Sequence, residues 1–250
     1  MINFSVIVPC YNSETTIVIC VRSIFSQTQL PKEIIMIDDG SKDNTLSLLN
    51  DLKAECPIGI DFYIISQENS GPSVARNKGI RKATSSWIAF LDSDDYWGQD
   101  NLKMMKGYIE MYTDCVLFGG SENVRRINFD DLLYKNYFQT STTVVKKQVM
   151  LNHLFNERQR YSEDYRAWLD LSYENEVILV SEYHAFPVIN RVNSFSGNGL
   201  SSKLLKMELG ELSNFWLLKR KNRISFFKFI VISIYSFLKY LRRCLKKKIS

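Results

Sequence analysis

Histidine and paired cysteine are what this 250-residue chain most lacks. Only His153 and His184 occur, and Cys10, Cys20, Cys56, Cys115 and Cys244 are scattered with no CxxC pair among them. That leaves no zinc-site spacing and, with an odd count, no disulfide framework; reduced thiols of a cytosolic kind are the expectation. No GxGxxG and no GxxxxGK[ST] appears, so a Rossmann dehydrogenase and a P-loop NTPase are poorly supported. The start, MINFSVIVPCYN, has no basic n-region and too short an apolar run for a signal peptide. The longest apolar stretch, 225–241, contains Lys228 and Lys239 and is at or below the length a bilayer span needs. Internal repeats and low-complexity linkers are missing as well. With 45% apolar and 24% charged residues, collagen, coiled coil and wholesale disorder are excluded and an ordinary globular chain remains.

Acidic residues are missing from one region only. From Leu212 to Ser250 there are eleven Lys/Arg and no Asp or Glu, which leaves 21 basic against 27 acidic side chains in 1–211. The net charge of +5 therefore divides into an acidic body at −6 and a strongly basic tail.

In the body, strand and helix signals alternate four times between Phe4 and Asp95. Apolar runs at 4–8, 33–37, 60–65 and 87–91 predict buried strands. Helices are predicted from Ser13 as a cap to about Thr28, from about Asp43, and over 72–83 with Pro near its start. Such alternation implies α/β architecture: a mostly parallel central sheet, flanked by helices joined through right-handed crossovers. Polar clusters follow the first, second and fourth strands, the edge along which open α/β sheets bind ligands. Beyond Tyr96 the pattern weakens. A helix at 99–112, strands at 115–118, 142–145, 177–180 and 182–189, and a helix at 163–171 are expected, with 119–136 irregular.

Asp92-Ser93-Asp94-Asp95 puts three carboxylates in four residues at a strand end. They repel one another unless a cation neutralises them, and hard divalent ions such as Mg²⁺ or Mn²⁺ take oxygen ligands while keeping positions open for phosphates. A solvated acidic turn is the other reading. An EF-hand fails, because Trp97 and Lys103 stand where Gly and Glu are needed. Asp38-Asp39-Gly40-Ser41 reads as a tight turn or as a ligand cradle, and Pro9-Cys10-Tyr11-Asn12 as a strand exit or as a base-stacking wall. In 69–77 the free N–H groups at a helix start, with Arg76 one turn in, suit a diphosphate.

VIVPCYN at 6–12, DDGSKDNT at 38–45, ENSGPSVARNKGI at 68–80 and FLDSDDYW at 90–97, in that order, resemble the family-2 glycosyltransferases. The resemblance covers 4–97 densely and reaches Glu163-Asp164 in 161–169, which looks like the family's ED motif. It implies the GT-A fold, a UDP-sugar donor, Mn²⁺ or Mg²⁺, and inversion at the anomeric carbon. Position by position it makes Asp94 the metal ligand and Asp92 the carboxylate near ribose and sugar. Asp39 falls at the uracil edge, Pro9 and Tyr11 at the walls of the base pocket with Asn12 beside them, and Asp164 at the general base. One departure stands out: where many relatives carry a late R-x-H, 190–194 places Asn193 at the His position. The chain divides accordingly into a donor-binding half (1–97), an acceptor-binding and catalytic half (98–211) and a basic tail (212–250).

Nucleotide-sugar transfer fits the residues on physical grounds too. A positioned carboxylate that removes the acceptor hydroxyl proton contributes roughly 10²–10⁴ in rate. A cation would also reconcile an acidic body with an anionic donor. Adjacent side chains on a helix point about 100° apart, so only one of Glu163 and Asp164 can face the acceptor; a carboxylate serving the helix dipole is the alternative for Asp164. Two other classes stay open: a nucleotidyltransferase, whose Gly-rich loop after the first strand is missing here, and a non-catalytic nucleotide-sugar binder. Trp97 and Trp168 read as core or as an acceptor wall, and both histidines as structural.

The tail reads as an amphipathic interfacial helix with a polybasic rim on an anionic membrane surface. A helix packed on the body is the alternative, and the dense aliphatic run argues against nucleic acid. A peripheral enzyme at the inner face of a bacterial membrane would extend a lipid-linked sugar. The resemblance points to O-antigen or capsule synthesis on undecaprenyl diphosphate, with glucose or galactose placed β1,3 on an N-acetylhexosamine.

Overall fold

The computed structural model of the chain describes residues 2–189 and 203–249. In chain order its elements are β1 (Phe4–Cys10), α1 (Ile17–Phe25), β2 (Glu33–Asp38), α2 (Thr45–Ala54), β3 (Asp61–Ser66), α3 (Pro72–Lys82), β4 (Trp87–Phe90), β5 (Asp95–Trp97) and α4 (Asn101–Met111). There follow β6 (Cys115–Ser121), β7 (Arg125–Ile127), α5 (Phe129–Tyr134), a 3₁₀ turn (Thr140–Thr142), β8 (Thr143–Lys146) and α6 (Lys147–Asn152). The last are α7 (Glu163–Ser172), β9 (Glu176–Ser181), β10 (Ala185–Pro187), α8 (Leu204–Arg220) and α9 (Phe226–Ile249).

The main sheet has the order β3-β2-β1-β4-β8-β6-β9-β7. β1, β2, β3 and β4 run parallel, as do β6 and β9, while β8 and β7 pair antiparallel to their neighbours. The expected α/β architecture with a mostly parallel sheet is therefore observed. β1, β2 and β4 are apolar almost throughout because both sheet faces are covered. Ile7, Ile35, Ile37 and Phe90 point into one core with α3 and α7, whereas Val6, Val8, Ile34 and Met36 point into the other with α1 and α4. Trp97 and Trp168 are fully buried in these cores, so packing, not an acceptor wall, is their role. All five cysteines are free.

The chain leaves β1 toward β2 and β3 on one side and returns to β4 on the other. The carboxyl ends of β1 and β4 are thus a topological switch point, where neighbouring connections diverge and leave a crevice. Polar residues after β1, β2 and β4 all meet there.

Several boundaries differ from the sequence expectation for local reasons. α1 stops at Phe25, before Thr28, and its entry turn is made by the Ser13 carbonyl, which accepts from the Thr16 and Ile17 N–H groups at 3.0 and 2.9 Å. The Ser13 hydroxyl does not cap it. The stretch 119–136 is not irregular: it holds the end of β6, then β7 and α5, the last opened by a reciprocal Asn128/Asp131 capping box. The C-terminal helices form an antiparallel pair that starts at Leu204, ahead of the basic tail, and Phe215, Leu218 and Ile232 join the core. Among the described residues no helix is long and apolar enough to cross a membrane.

α3 lies unusually close to β1. A Cβ at Gly79 would sit 2.5 Å from Ile7 Cγ2, so only glycine permits that approach. Gly79→Ala is expected to destabilise the fold by about 1–3 kcal/mol through overpacking, read as a lower urea midpoint with unchanged slope.

Candidate active site

The first site loops are joined to each other before any ligand is considered. Asn12, in the left-handed region at φ 49°, donates its N–H to Ser41 Oγ (3.0 Å) and accepts from Lys42 N–H (2.8 Å). Ser13 N–H reaches Thr45 Oγ1 at 2.7 Å, Glu14 N–H donates to Asp43 Oδ2 at 3.1 Å, and Glu14 Oε2 accepts from Asn44 N–H at 3.0 Å across the same seam. Asn12 therefore closes the loops together, while Tyr11 stays exposed beside half-buried Pro9.

Asp39 is buried and already occupied. Its Oδ1 accepts from Gln67 Nε2 and Ser70 N–H, and its Oδ2 from Gly71 N–H, each at 2.8 Å. The carboxylate thereby holds 67–71, the entry to α3, against the end of β2. A carboxylate has about four acceptor sites, so one more donor can still be taken on its rim.

Arg76 is the centre of the arrangement. It is buried, with Nη2 at 2.8 Å from Asp92 Oδ1 and Nη1 at 3.2 Å from Glu163 Oε1. Its guanidinium lies over the Phe155 ring, 5.5 Å from the centroid. Burial works against the charge, but Asp92 and Glu163 more than compensate and hold the group protonated. The residue expected to bind a diphosphate is thus committed to two carboxylates. In exchange it brings the end of β4 and the start of α7, far apart in sequence, into one charge network.

Around β4's tip, Ser141 is the organiser that sequence reasoning missed. Its hydroxyl accepts from Asp92 N–H (3.1 Å) and donates to Asp95 Oδ2 (2.6 Å), while its carbonyl accepts from Trp97 Nε1 (2.8 Å). Asp94 is half-buried, and its carbonyl accepts from Val188 N–H at 2.9 Å, extending the β5–β10 ribbon. Burial pushes Asp95 up to about 6, with the Ser141 bond opposing and the Asp92 charge adding. Asn193, two residues past Arg191, lies outside the described residues.

At the start of α7, burial pushes Glu163 up to about 7; the Asp164 charge adds to this and Arg76 opposes it. Burial raises Asp164 as well, Asp92 adding and Arg76 and Asn136 opposing. Glu163 turns inward to Arg76. Asp164 is half-buried and takes a bond from Asn136 Nδ2 at 3.3 Å, a partner no sequence pattern announced.

The donor set at Asp92–Asp95 fits a hard divalent cation. Its atoms are carboxylate oxygens, and the Asp92 charge, which adds to the burial that raises Asp95, is one a nearby cation would offset. Among the described residues no three His, Cys, Asp or Glu side chains are grouped to hold a metal unaided. Mg²⁺ ordinarily takes one or two carboxylates and fills its shell with phosphate oxygens and water.

The family model for glycosyl transferase family 2 matches residues 5–167. An uncharacterized glycosyltransferase of Haemophilus influenzae is 27% identical over 94% of this chain and 97% of its own. WfaP of Escherichia coli, a UDP-Glc:alpha-D-GlcNAc-diphosphoundecaprenol beta-1,3-glucosyltransferase, is 32% identical over 67% of this chain and 69% of its own. In fold the chain is similar to the mannosyltransferase PcManGT of Pyrobaculum calidifontis, solved with GDP-Man and Mn²⁺. The TM-score is 0.70 at 16% identity, over 87% of this chain and 64% of that one.

Removing the bridge strands its partners. Arg76→Met is expected to cost about 3 kcal/mol, the low end of the 3–5 kcal/mol for breaking a buried pair because Asp92 is a third exposed. Urea denaturation at neutral pH reads it.

Proposed function

Because the chain belongs to glycosyl transferase family 2, we propose that it transfers a hexose, with inversion, from a UDP-sugar to a lipid-linked diphosphate saccharide. One observation carries the reading. Arg76 gathers the Asp92–Asp95 turn and the Glu163-Asp164 turn at the switch point of the sheet, where an α/β fold binds nucleotides.

In this reading the uridine lies between Tyr11 and Pro9, with the uracil edge at the rim of Asp39. Asp92 faces the ribose and sugar, its orientation set by Arg76 and Ser141. Asp94, with Asp92 beside it, would hold Mn²⁺ or Mg²⁺, which would supply Lewis-acid stabilisation to the leaving diphosphate. Asp164 accepts the proton of the acceptor hydroxyl. The new C–O bond forms at the anomeric carbon as the bond to the diphosphate oxygen breaks, and UDP departs. Asn136 orients the base, and Glu163, turned to Arg76, stays out of the proton transfer. A single base on the face opposite the leaving group yields inversion.

The WfaP likeness supports glucose as the hexose, galactose being the near alternative, β1,3-linked to an N-acetylhexosamine on undecaprenyl diphosphate in polysaccharide synthesis. The tail supports a peripheral position at the inner face of the membrane. α9 buries one stripe at Ile232 and Ser236 and exposes Phe226, Phe227, Ile234, Phe237 and Leu238 beside a basic rim. Apolar surface bordered by lysine and arginine matches an anionic lipid surface.

Turnover is read as UDP release from a panel of UDP-sugars with a synthetic diphosphate-linked acceptor. Asp94→Ala is expected to lose about a hundredfold or more, in line with several kcal/mol of charge stabilisation. Asp164→Asn is expected to lose roughly 10²–10⁴. The base works ionised and burial raises its pKa, so the rate falls with decreasing pH from above the ordinary carboxylate range. Full-rate turnover after chelation of divalent ions contradicts the metal's role.

A further inference from the structure

α8 lies beyond residues 5–167, the part of the chain the family model matches. It nevertheless holds the turn from which Glu163 and Asp164 project. Ser162, just ahead of them, has φ 55°, the left-handed region that a residue with a side chain seldom enters. Such strain persists only where the surroundings over-determine it, and it concentrates at active sites. The Ser162 carbonyl accepts locally from Gln159 Nε2 and the Arg166 N–H, each at 3.2 Å, and the long-range partners of Ser162 come from α8. Asn214, 1% exposed, donates Nδ2–H to the Ser162 carbonyl at 2.9 Å and accepts at Oδ1 from Gln159 Nε2 at 2.9 Å. Ser162 Oγ, positioned to cap α7, donates instead to the Met207 carbonyl at 3.1 Å. The α8 backbone closes on the turn at Gly210, where a Cβ would lie 2.4 Å from the Tyr161 carbonyl oxygen.

α8 is braced in turn by α9. The Ser236 hydroxyl bonds Glu208 and Glu211 at 3.2 and 3.1 Å, and Arg243 Nη2 lies 3.3 and 3.4 Å from the same carboxylates. These buried groups flank Gly210 on the helix.

We infer that α8, through Asn214 and Gly210, is a positioning device for the base turn, fixing where Asp164 points. The inference rests on the reading of Asp164 as the base. Glu163 is anchored to Arg76 from the donor side, and Ser162 is anchored to Asn214 from the C-terminal side. Asp164 follows them and is therefore aimed by both anchors. Freed of the second, the turn relaxes out of its left-handed conformation and moves the carboxylate, while the uridine site around Tyr11 and Asp39 is untouched.

The test uses the full chain, the UDP-sugar that the unaltered enzyme turns over, and a water-soluble diphosphate-linked acceptor, so that membrane binding plays no part. Asn214→Ala and Gly210→Ala are each expected to lower kcat about 10–100-fold, the penalty for ångström-scale misplacement. Donor KM and the affinity for UDP with Mn²⁺ are expected to stay within about twofold, and the acid limb of the kcat–pH profile to shift. Ser213→Ala, on the exposed side of α8, leaves all of these unchanged. Unaltered kcat in both α8 variants overturns the inference, as does a parallel loss of kcat and UDP affinity, which marks general misfolding. Asp164→Asn separates the two levels: inactive Asp164→Asn beside active Asn214→Ala sinks the positioning role alone. A fully active Asp164→Asn removes the base assignment and the inference with it.

Discussion

The contact on which the arrangement depends is the buried Arg76 guanidinium between Asp92 and Glu163. Each carboxylate would be costly at its position without a cation, and a single Arg offers the planar fork that serves two at once. The pair is not there for stability alone, since apolar residues of the same volume would do as well or better. What it accomplishes is registration: the tip of β4 and the start of α7 are separated by some seventy residues of intervening chain, yet they are tied at hydrogen-bond distance. The Asp92–Asp95 turn and the Glu163-Asp164 turn thereby share one crevice.

Polar side chains away from the motifs complete this registration. Ser141 locks Asp92 and Asp95 from the 3₁₀ turn, Asn136 steadies Asp164, and Asn214 holds Ser162. Each makes its bond to a residue 28 or more positions away. The loops after β1 and β2 are stiffened differently, by the seam in which Asn12 and Ser13 bond 41–45 and by Asp39 holding 67–71. A site built this way has its carboxylates oriented before ligand arrives, which is what differential stabilisation of a transition state requires.

That division explains what was legible in the sequence. The strands and helices from Phe4 to Trp97 were readable because sheet burial on both faces forces apolar runs, and turns between them need Gly, Pro, Asp and Asn. The carboxylates of 92–95 and 163–164 were readable as candidates because a cation site or a general base needs that residue type. Ser141, Asn136 and Asn214 were not, since a lone polar residue is ordinary until its distant partner is known. Arg76 is legible at the start of α3, but its bonds to Asp92 and Glu163 are not, because nothing in the sequence shows that Glu163 faces it. The elements between Gly119 and Ser162 are three to seven residues long, too short for a period to register. α8 went unread because its buried stripe mixes Glu208, Glu211 and Asn214 with Phe215 and Leu218, which blurs the apolar pattern.

A double-mutant cycle between Arg76 and Glu163 addresses the shared crevice most directly. Unfolding free energies are measured for Arg76→Gln, Glu163→Gln and the double variant at neutral pH. The two are predicted to be coupled by about 1 kcal/mol or more, the double variant being less destabilised than the sum of the singles. Additivity within about 0.5 kcal/mol would mean that the two residues do not act on each other, and that the two turns are not held together by this bridge.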